Sequence, residues 1–224
     1  TMNSLSLNDF ARRLPTLEAI KAERARRSSR VGEDRSIEAV RERCKRLRGF
    51  ISEVWPVVEP GTKYVHGWHQ DAVCDHLEAV TNGEILRLLI NVPFGMMKSL
   101  SCGVFWPAWE WGPAGRAWLR YIGTSYRADY AERDSRKMRD VVASEFYQRH
   151  WPVTLDRGGE TSFSNTEKGS RDAVPFTSLT GGRGDRVIID DPHSTETAES
   201  DTERARSIRI FRESVPSRLN DQRT

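Results

Sequence analysis

Cysteine is scarce in this 224-residue chain, and its three copies, Cys44, Cys74 and Cys102, are scattered. Their number is odd, and their spacing is not that of metal ligands. The five histidines are dispersed as well and lack the spacing of zinc ligands. We therefore predict free thiols in a reducing cytosol and no zinc site.

Long apolar runs are also missing. No stretch of the sequence reaches the length of a membrane span, and the first residues lack the apolar core of a secretory signal. The composition, with 37% hydrophobic and 30% charged residues, is that of a soluble protein. The length favours one domain with a substantial core, and the sequence contains no internal repeat.

Charge is unevenly distributed. The net charge is +3, yet residues 1–48 hold 13 Lys/Arg against 7 Asp/Glu, while the rest of the chain holds 22 against 25. A basic arm on a near-neutral body suggests an anionic partner such as nucleic acid. A solvated helix with alternating charges explains the same residues, and for this segment alone it is the simpler interpretation. We predict a basic helical N-terminal arm over residues 1–48 and one domain over residues 49–224.

Strand and helix patterns alternate along this domain. Apolar strands are predicted at Ile85–Val92, Trp118–Ile122 and Val187–Asp191, with a β-hairpin between Pro152 and Thr180. Helices are predicted over Ile37–Val54, Asp71–Val80, about Lys98–Trp111, Ala128–Tyr147 and about Glu199–Glu213. This alternation predicts a three-layer α/β domain with a mainly parallel central sheet.

The segment Val92–Ser99 follows the first of these strands and precedes a helix. Strand, loop, Lys-Ser and helix is the order that binds nucleotide phosphates. Lys98 would reach the β/γ-phosphates, the Ser99 hydroxyl would bind Mg²⁺, and backbone N–H groups at the helix start would face the anion. The standard pattern G-x-x-x-x-G-K-[ST] nevertheless has Val92 and Met97 in place of its glycines. The segment is either a chance Lys-Ser or a variant phosphate-binding loop.

Two adjacent carboxylates, Asp190 and Asp191, end the last predicted strand. Ligands bind at this end of the strands in open α/β sheets. In P-loop enzymes the metal is shared by the loop hydroxyl and a strand-end Asp, so we expect Ser99 and Asp190 to share one Mg²⁺. The next carboxylate can reach a water aligned on the γ-phosphate. A turn explains Asp190-Asp191-Pro192 taken alone, but together with the Lys-Ser loop it favours a nucleotide site.

Gln70 lies just before a predicted helix, after Trp68 and His69. Its amide could hydrogen-bond the adenine edge, because an amide offers both a donor and an acceptor. Alone, this signal is weak, since a single glutamine is usually a surface residue.

Three segments carry a resemblance to a known family. Leu89–Ser101, Val104–Pro113 and Val187–His193 resemble the ATPase domain of tailed-phage terminase large subunits, the motors that package viral DNA. The similarity covers roughly residues 45–224. It implies a P-loop NTPase of the RecA/ASCE type, and in that family the loop often begins with Pro and lacks the first glycine.

The resemblance assigns roles residue by residue. It implies that Gln70 contacts adenine, that Asp190 binds Mg²⁺, and that Asp191 stands where many relatives have a catalytic Glu. It places the ATP-binding loop at Pro93, Phe94, Gly95, Met96, Met97, Lys98 and Ser99. Lys98 and Asp191 are therefore the expected catalytic groups of the loop and the strand, and ATP and Mg²⁺ are the expected ligands.

The chain departs from the family in two ways. Many members carry an Arg inside the loop, and here that region has no cation. A charge-stabilising Arg is worth about 10³–10⁵ in rate in related enzymes, so we expect one from the helix Tyr126–Val142, with Arg139 favoured over Arg133. The family also continues into a coupling strand and a nuclease domain, whereas this sequence ends at Thr224, so we expect no nuclease activity in this chain.

The resemblance implies an Mg²⁺-dependent ATPase that drives double-stranded viral DNA into a procapsid. It further implies a homo-oligomeric ring, a portal protein and a small terminase subunit as partners, and the host cytoplasm as the location, with no membrane. Two alternatives stay open: a helicase-like ATPase, and a non-enzymatic assembly module with a vestigial nucleotide site.

Overall fold

Two units make up the computed structural model, which describes residues 17–159, 161–179 and 182–221. The described part of the first unit ends at Glu42, and the second unit begins at Arg43. The first unit is helical wherever it is described. The first 16 residues of the predicted basic arm lie outside the described residues. Residues 43–48 belong to the second unit, where Cys44 and Leu47 are fully buried.

The secondary structure alternates between helices and strands. The helices are α1 Leu17–Arg43, α2 Leu47–Val58, α3 Trp68–Thr81, α4 Lys98–Leu100, α5 Trp106–Trp111, α6 Ala128–Ala143, α7 Glu145–His150, α8 Thr195–Ala198 and α9 Asp201–Arg218. The strands are β1 Arg120–Ser125, β2 Leu155–Gly158, β3 Ser162–Asn165, β4 Ser170–Pro175 and β5 Arg186–Asp190. A π-helical segment, Ser101–Phe105, joins α4 to α5 without a break, and residues 98–111 together are called the loop helix below.

The five strands form one open mixed sheet in the order β2-β3-β4-β1-β5. β1 runs parallel to both β4 and β5, whereas β2 and β3 pair antiparallel with each other and with β4. The predicted hairpin is therefore present as β2 and β3. The pairing of β3 with β4 joins this hairpin to the rest of the sheet. The register sets Ser125 opposite Asp190, so β1 and β5 end at the same edge.

Helices cover both faces of the sheet. Neighbouring side chains of β1 point in opposite directions, so this strand contacts both layers. Tyr121 is fully buried on the face of the loop helix, where its ring lies 6.3 Å from that of Trp106. Ile122, the next residue, packs with Leu179 and with Val215 of α9 on the other face. Because both faces are covered, β1 carries apolar side chains on both of its sides. The predicted α/β class is confirmed.

The segment predicted as the first strand, Ile85–Val92, is not a strand in the structure. No strand of the described chain pairs with it, and β5 is the last strand at that side of the sheet. Leu86 and Leu89 are exposed, the latter by 83%. An apolar run supplies side chains for a strand, but strand formation also requires a neighbour for its N–H and C=O groups.

Several helix boundaries differ from the predicted ones for local reasons. The helical pattern of residues 37–54 is interrupted between α1 and α2, and α2 continues through Pro56 to Val58. The helix predicted over Ala128–Tyr147 ends at Ala143, because the Ser144 side chain accepts from the Tyr147 N–H and begins α7. The loop helix, in contrast, spans the predicted residues 98–111. Among the described residues, no helix combines the length and apolar character that a membrane crossing requires.

Candidate nucleotide site

The site lies where β1 and β5 end. Asp190 is the last residue of β5, and Asp191 follows it with φ 44°, a left-handed conformation that is rare for a residue with a Cβ. The backbone N–H of Tyr126, just after β1, donates to the Asp191 carbonyl at 3.1 Å. This bond holds the chain in a turn immediately after the strand, so the two carboxylates do not have to point to opposite faces of the sheet.

Lys98 connects the loop helix to both carboxylates. Its Nζ lies 3.0 Å from Asp190 Oδ1 and 2.5 Å from Asp191 Oδ1. Partial burial acts to lower the pKa of Lys98, but the hydrogen bonds to Asp191 and Asp190 outweigh it and raise the pKa above its ordinary value. The two motifs singled out in the sequence therefore meet around one charged group.

The loop before Lys98 has an unusual backbone. Gly95 has φ 81° and Met97 has φ 60°, and the Met96 N–H donates to the Pro93 carbonyl at 3.3 Å. Glycine adopts this conformation without steric cost, whereas Met97 is strained and must be held by its surroundings. The first N–H groups of a helix lack partners within it. Among the described residues, no backbone carbonyl accepts from Met97, Lys98 or Ser99.

The oxygen ligands present fit Mg²⁺. Two carboxylates converge on one cationic group, and the half-buried Ser99 hydroxyl next to Lys98 hydrogen-bonds to no other described residue. In the part of the chain that the structure describes, no group of three His, Cys, Asp or Glu could bind a metal by itself. Mg²⁺ is usually bound by one or two carboxylates together with substrate phosphates, which matches this set.

The Cys102 thiol lies near Asp190 and has a raised pKa. Burial is the main cause that raises the pKa of Cys102 to about 12, and the charge of Asp190 adds to it. Cys102 therefore stays protonated and acts as a small apolar group of the π-helical segment.

Gln70 reaches the loop from the first turn of α3. Its side chain is fully buried, its Nε2 donates to the Met96 carbonyl at 2.9 Å, and its Oε1 accepts from Ser101 Oγ at 3.0 Å. In this structure the amide contacts the loop before Lys98 and is closed to solvent, so no face of it is open to a base.

The two candidate arginines on α6 have different surroundings. Arg133 pairs with the buried Asp134 at 2.9 Å, and its guanidinium lies 5.3 Å from the centre of the Tyr130 ring. Arg139 is half-buried and forms no ion pair with any described residue. Neither guanidinium contacts Lys98, Asp190 or Asp191 among the described contacts.

Sequence reasoning missed a buried cluster at the other end of the loop helix. Glu110, fully buried, accepts a hydrogen bond from the Tyr121 hydroxyl and pairs with Arg186 at 3.0 Å. Burial raises the pKa of Tyr121 well above its ordinary value, and the Glu110 charge adds to this. A carboxylate between Trp109 and Trp111 was the available signal, because an acid inside an apolar run needs a buried partner.

The cluster matters for the site because Arg186 begins β5 and Asp190 ends it. The loop helix thus contacts β5 twice, through Lys98 at one end and Glu110 at the other. These two contacts set how the loop before Lys98 lies relative to the strand-end acids.

Comparison of the chain with protein-family models finds no match, and comparison with curated proteins finds none either.

Proposed function

We propose that this chain binds ATP with Mg²⁺ and hydrolyses it, as the ATPase domain of a viral DNA-packaging motor. The observation that carries the proposal is the convergence of Lys98, at the start of the loop helix, on Asp190 and Asp191, at the end of β5. The cation and the two acids come from segments more than 90 residues apart, and they meet at the edge of the sheet where open α/β folds bind their ligands, which supports a binding site there.

The loop supplies the phosphate contacts in this proposal. The unpaired N–H groups at the start of the loop helix, together with the Lys98 ammonium, attract the phosphate oxygens. Without nucleotide, Lys98 is neutralised by the two acids; with nucleotide, it turns to the β/γ-phosphates and leaves the acids free. Asp190 and Ser99 would bind Mg²⁺, which neutralises charge developing on the phosphate oxygens when bound.

Asp191 is the proposed catalytic base. Its side chain is 63% exposed, against 19% for Asp190, so it can contact a water in front of the γ-phosphate. The Tyr126 N–H holds the Asp191 backbone in its left-handed conformation, so the carboxylate is oriented before substrate binds. Orientation of this kind is the main contribution a protein makes to phosphoryl transfer.

An arginine is still needed to stabilise charge on the transferred phosphoryl group. Arg139 is the better candidate, because Arg133 is already bound to Asp134 and lies over Tyr130. Since neither contacts the acids of its own chain, we propose that the arginine serves the site of a neighbouring subunit. This requires the oligomeric ring that the family resemblance implies.

The motor role rests on the resemblance of the loop and strand motifs to terminases, and includes double-stranded DNA, a portal protein and a small terminase subunit as partners. Contacts with the DNA backbone would be salt-sensitive and independent of sequence.

Measurement of ATP binding and phosphate release on the purified chain tests the proposal. Mg²⁺-dependent phosphate release that is stimulated by double-stranded DNA is the expected result. Binding without hydrolysis would instead favour the assembly module with a vestigial site, and absence of binding would remove the nucleotide assignment.

A further inference from the structure

Gln70 links the two ends of the segment that would hold the phosphates. Its donor is used by the Met96 carbonyl, on the loop, and its acceptor is used by the Ser101 hydroxyl, in the loop helix. Lys98 and Ser99 lie between these two attachment points. The amide orientation is determined by Met96, because a carbonyl can only accept and so requires the NH₂ group opposite it.

The bond to Met96 also fixes the orientation of a peptide unit. Residues 96 and 97 are joined by a trans peptide, in which the C=O and the following N–H point in opposite directions. Because Gln70 binds the Met96 carbonyl in the protein interior, the Met97 N–H on the same peptide unit is directed away from the interior. A donor that faces outward from the loop is available to a phosphate oxygen.

The strain in the loop shows why this bond is needed. Met97 has φ 60°, which costs about 1–2 kcal/mol for a residue with a Cβ. Such a conformation persists only when neighbouring contacts enforce it. The standard motif has glycine at this position and adopts the conformation without help. In this chain the hydrogen bond from Gln70 supplies a constraint that a glycine at position 97 would make unnecessary.

We propose that Gln70 is a positioning residue that holds the Met96–Met97 peptide in its phosphate-binding orientation, and that it does not read the nucleotide base. The inference depends on the proposed function, since it assumes that this loop binds phosphates. Burial supports it: the side chain is fully buried and each end of the amide contacts the protein, so no part of it is open to adenine in this structure.

The test compares three probes that share a triphosphate and differ in the base: ATP, GTP and inorganic tripolyphosphate, each with Mg²⁺. The variant is Gln70→Met, which keeps the side-chain volume and removes both hydrogen bonds. The matched control is Gln148→Met, because Gln148 also donates to backbone carbonyls, those of Val142 and Val153, at 2.6 and 2.8 Å. Dissociation constants are measured by calorimetry well below the unfolding temperature of each variant.

Gln70→Met is expected to raise the dissociation constants of all three probes by the same factor, about 5- to 10-fold. This factor corresponds to the loss of one net hydrogen bond. The KM for ATP should rise by that factor with little change in kcat, because the Met97 N–H contacts the phosphates before and during the reaction. Gln148→Met should leave all three affinities within twofold of wild type.

A second variant guards against failure of Gln70→Met to fold. Ser101→Ala removes only the hydrogen bond between Ser101 and the Gln70 side-chain carbonyl oxygen. It should raise the dissociation constants of all three probes equally, by a smaller factor than Gln70→Met does. A loss confined to ATP, or unchanged affinities in both variants, would overturn the inference and leave the proposed function intact. If wild type binds none of the three probes, the proposed function itself fails, and the inference fails with it.

Discussion

Lys98 and Asp191 are 93 residues apart in the chain, and their Nζ and Oδ1 atoms are 2.5 Å apart in the structure. The same ammonium lies 3.0 Å from Asp190. The lysine therefore neutralises both acids in this structure. If the site binds ATP and Mg²⁺ as proposed, nucleotide binding must first release this contact, and each of the three groups then has a separate role to test.

Replacement of Lys98 by alanine should abolish turnover. The loss is expected to be at least 10²–10³-fold, because a charge that stabilises the phosphoryl group in the transition state is removed. Steady-state phosphate release measures it. Lys63→Ala, at an exposed loop position, is the control and should retain wild-type activity. Wild-type turnover in Lys98→Ala would remove the assignment of this loop.

The two acids should be distinguishable by their response to Mg²⁺. Asp190→Asn should raise the Mg²⁺ concentration required for half-maximal activity, because a charged metal ligand is lost. Asp191→Asn should bind Mg²⁺ and ATP normally but lose about 10²–10⁴-fold in kcat, the usual contribution of a general base. Mg²⁺ titrations of phosphate release separate the two effects. Identical Mg²⁺ profiles for both variants would contradict these separate roles.

If Arg139 acts on a neighbouring subunit, specific activity should rise with protein concentration. Arg139→Ala should lower kcat by about 10³-fold or more, and mixing it with Lys98→Ala should restore part of the activity, because each variant supplies what the other lacks. Arg212→Ala, on the exposed side of α9, is the control. Strict proportionality of activity to concentration, down to a demonstrated monomer, would exclude a shared site.

The pair of Glu110 and Arg186 should contribute to stability more than to chemistry. Glu110→Gln leaves Arg186 buried without its partner, which costs about 3–5 kcal/mol in free energy of unfolding. Arg186→Met together with Glu110→Gln should cost less than the sum of the two single changes, because no unpaired charge remains. Urea unfolding of the four proteins gives the coupling energy. Strictly additive losses would show that the two side chains do not stabilise each other.

Asp185 should make stability depend on pH in the acid range. Partial burial acts to raise its pKa, but hydrogen bonds from Asn220 and from the Arg120 backbone and side chain outweigh burial and lower the pKa below its ordinary value. Its contribution is present above the unfolded-state pKa, about 3.9, and is lost as pH falls through that value towards the folded pKa. Asp185→Asn should be less stable at pH 6 and lose less stability between pH 5 and pH 3. An unchanged pH profile in urea unfolding would count against this role.

The residues of the candidate site were recognisable in the sequence because their signals are local. An apolar run followed by Asp190 and Asp191 predicts a strand that ends in acids, and β5 ends there. The helix after the loop was predicted over residues 98–111 and spans them, since its apolar spacing and the glycine that follows act within a few residues. The class of the fold followed from the alternation of such local patterns.

The contacts made by these residues were decided only by the tertiary structure. Burial of Gln70 against Met96, the pairing of Glu110 with Arg186, and the failure of residues 85–92 to join the sheet all depend on segments distant in the chain. Periodicity and capping describe what a segment can bury, but not which partner it meets. The sequence by itself thus determined which residues are candidates for a nucleotide site, because those signals are local, whereas long-range packing and hydrogen bonding decided how the loop that carries them is held.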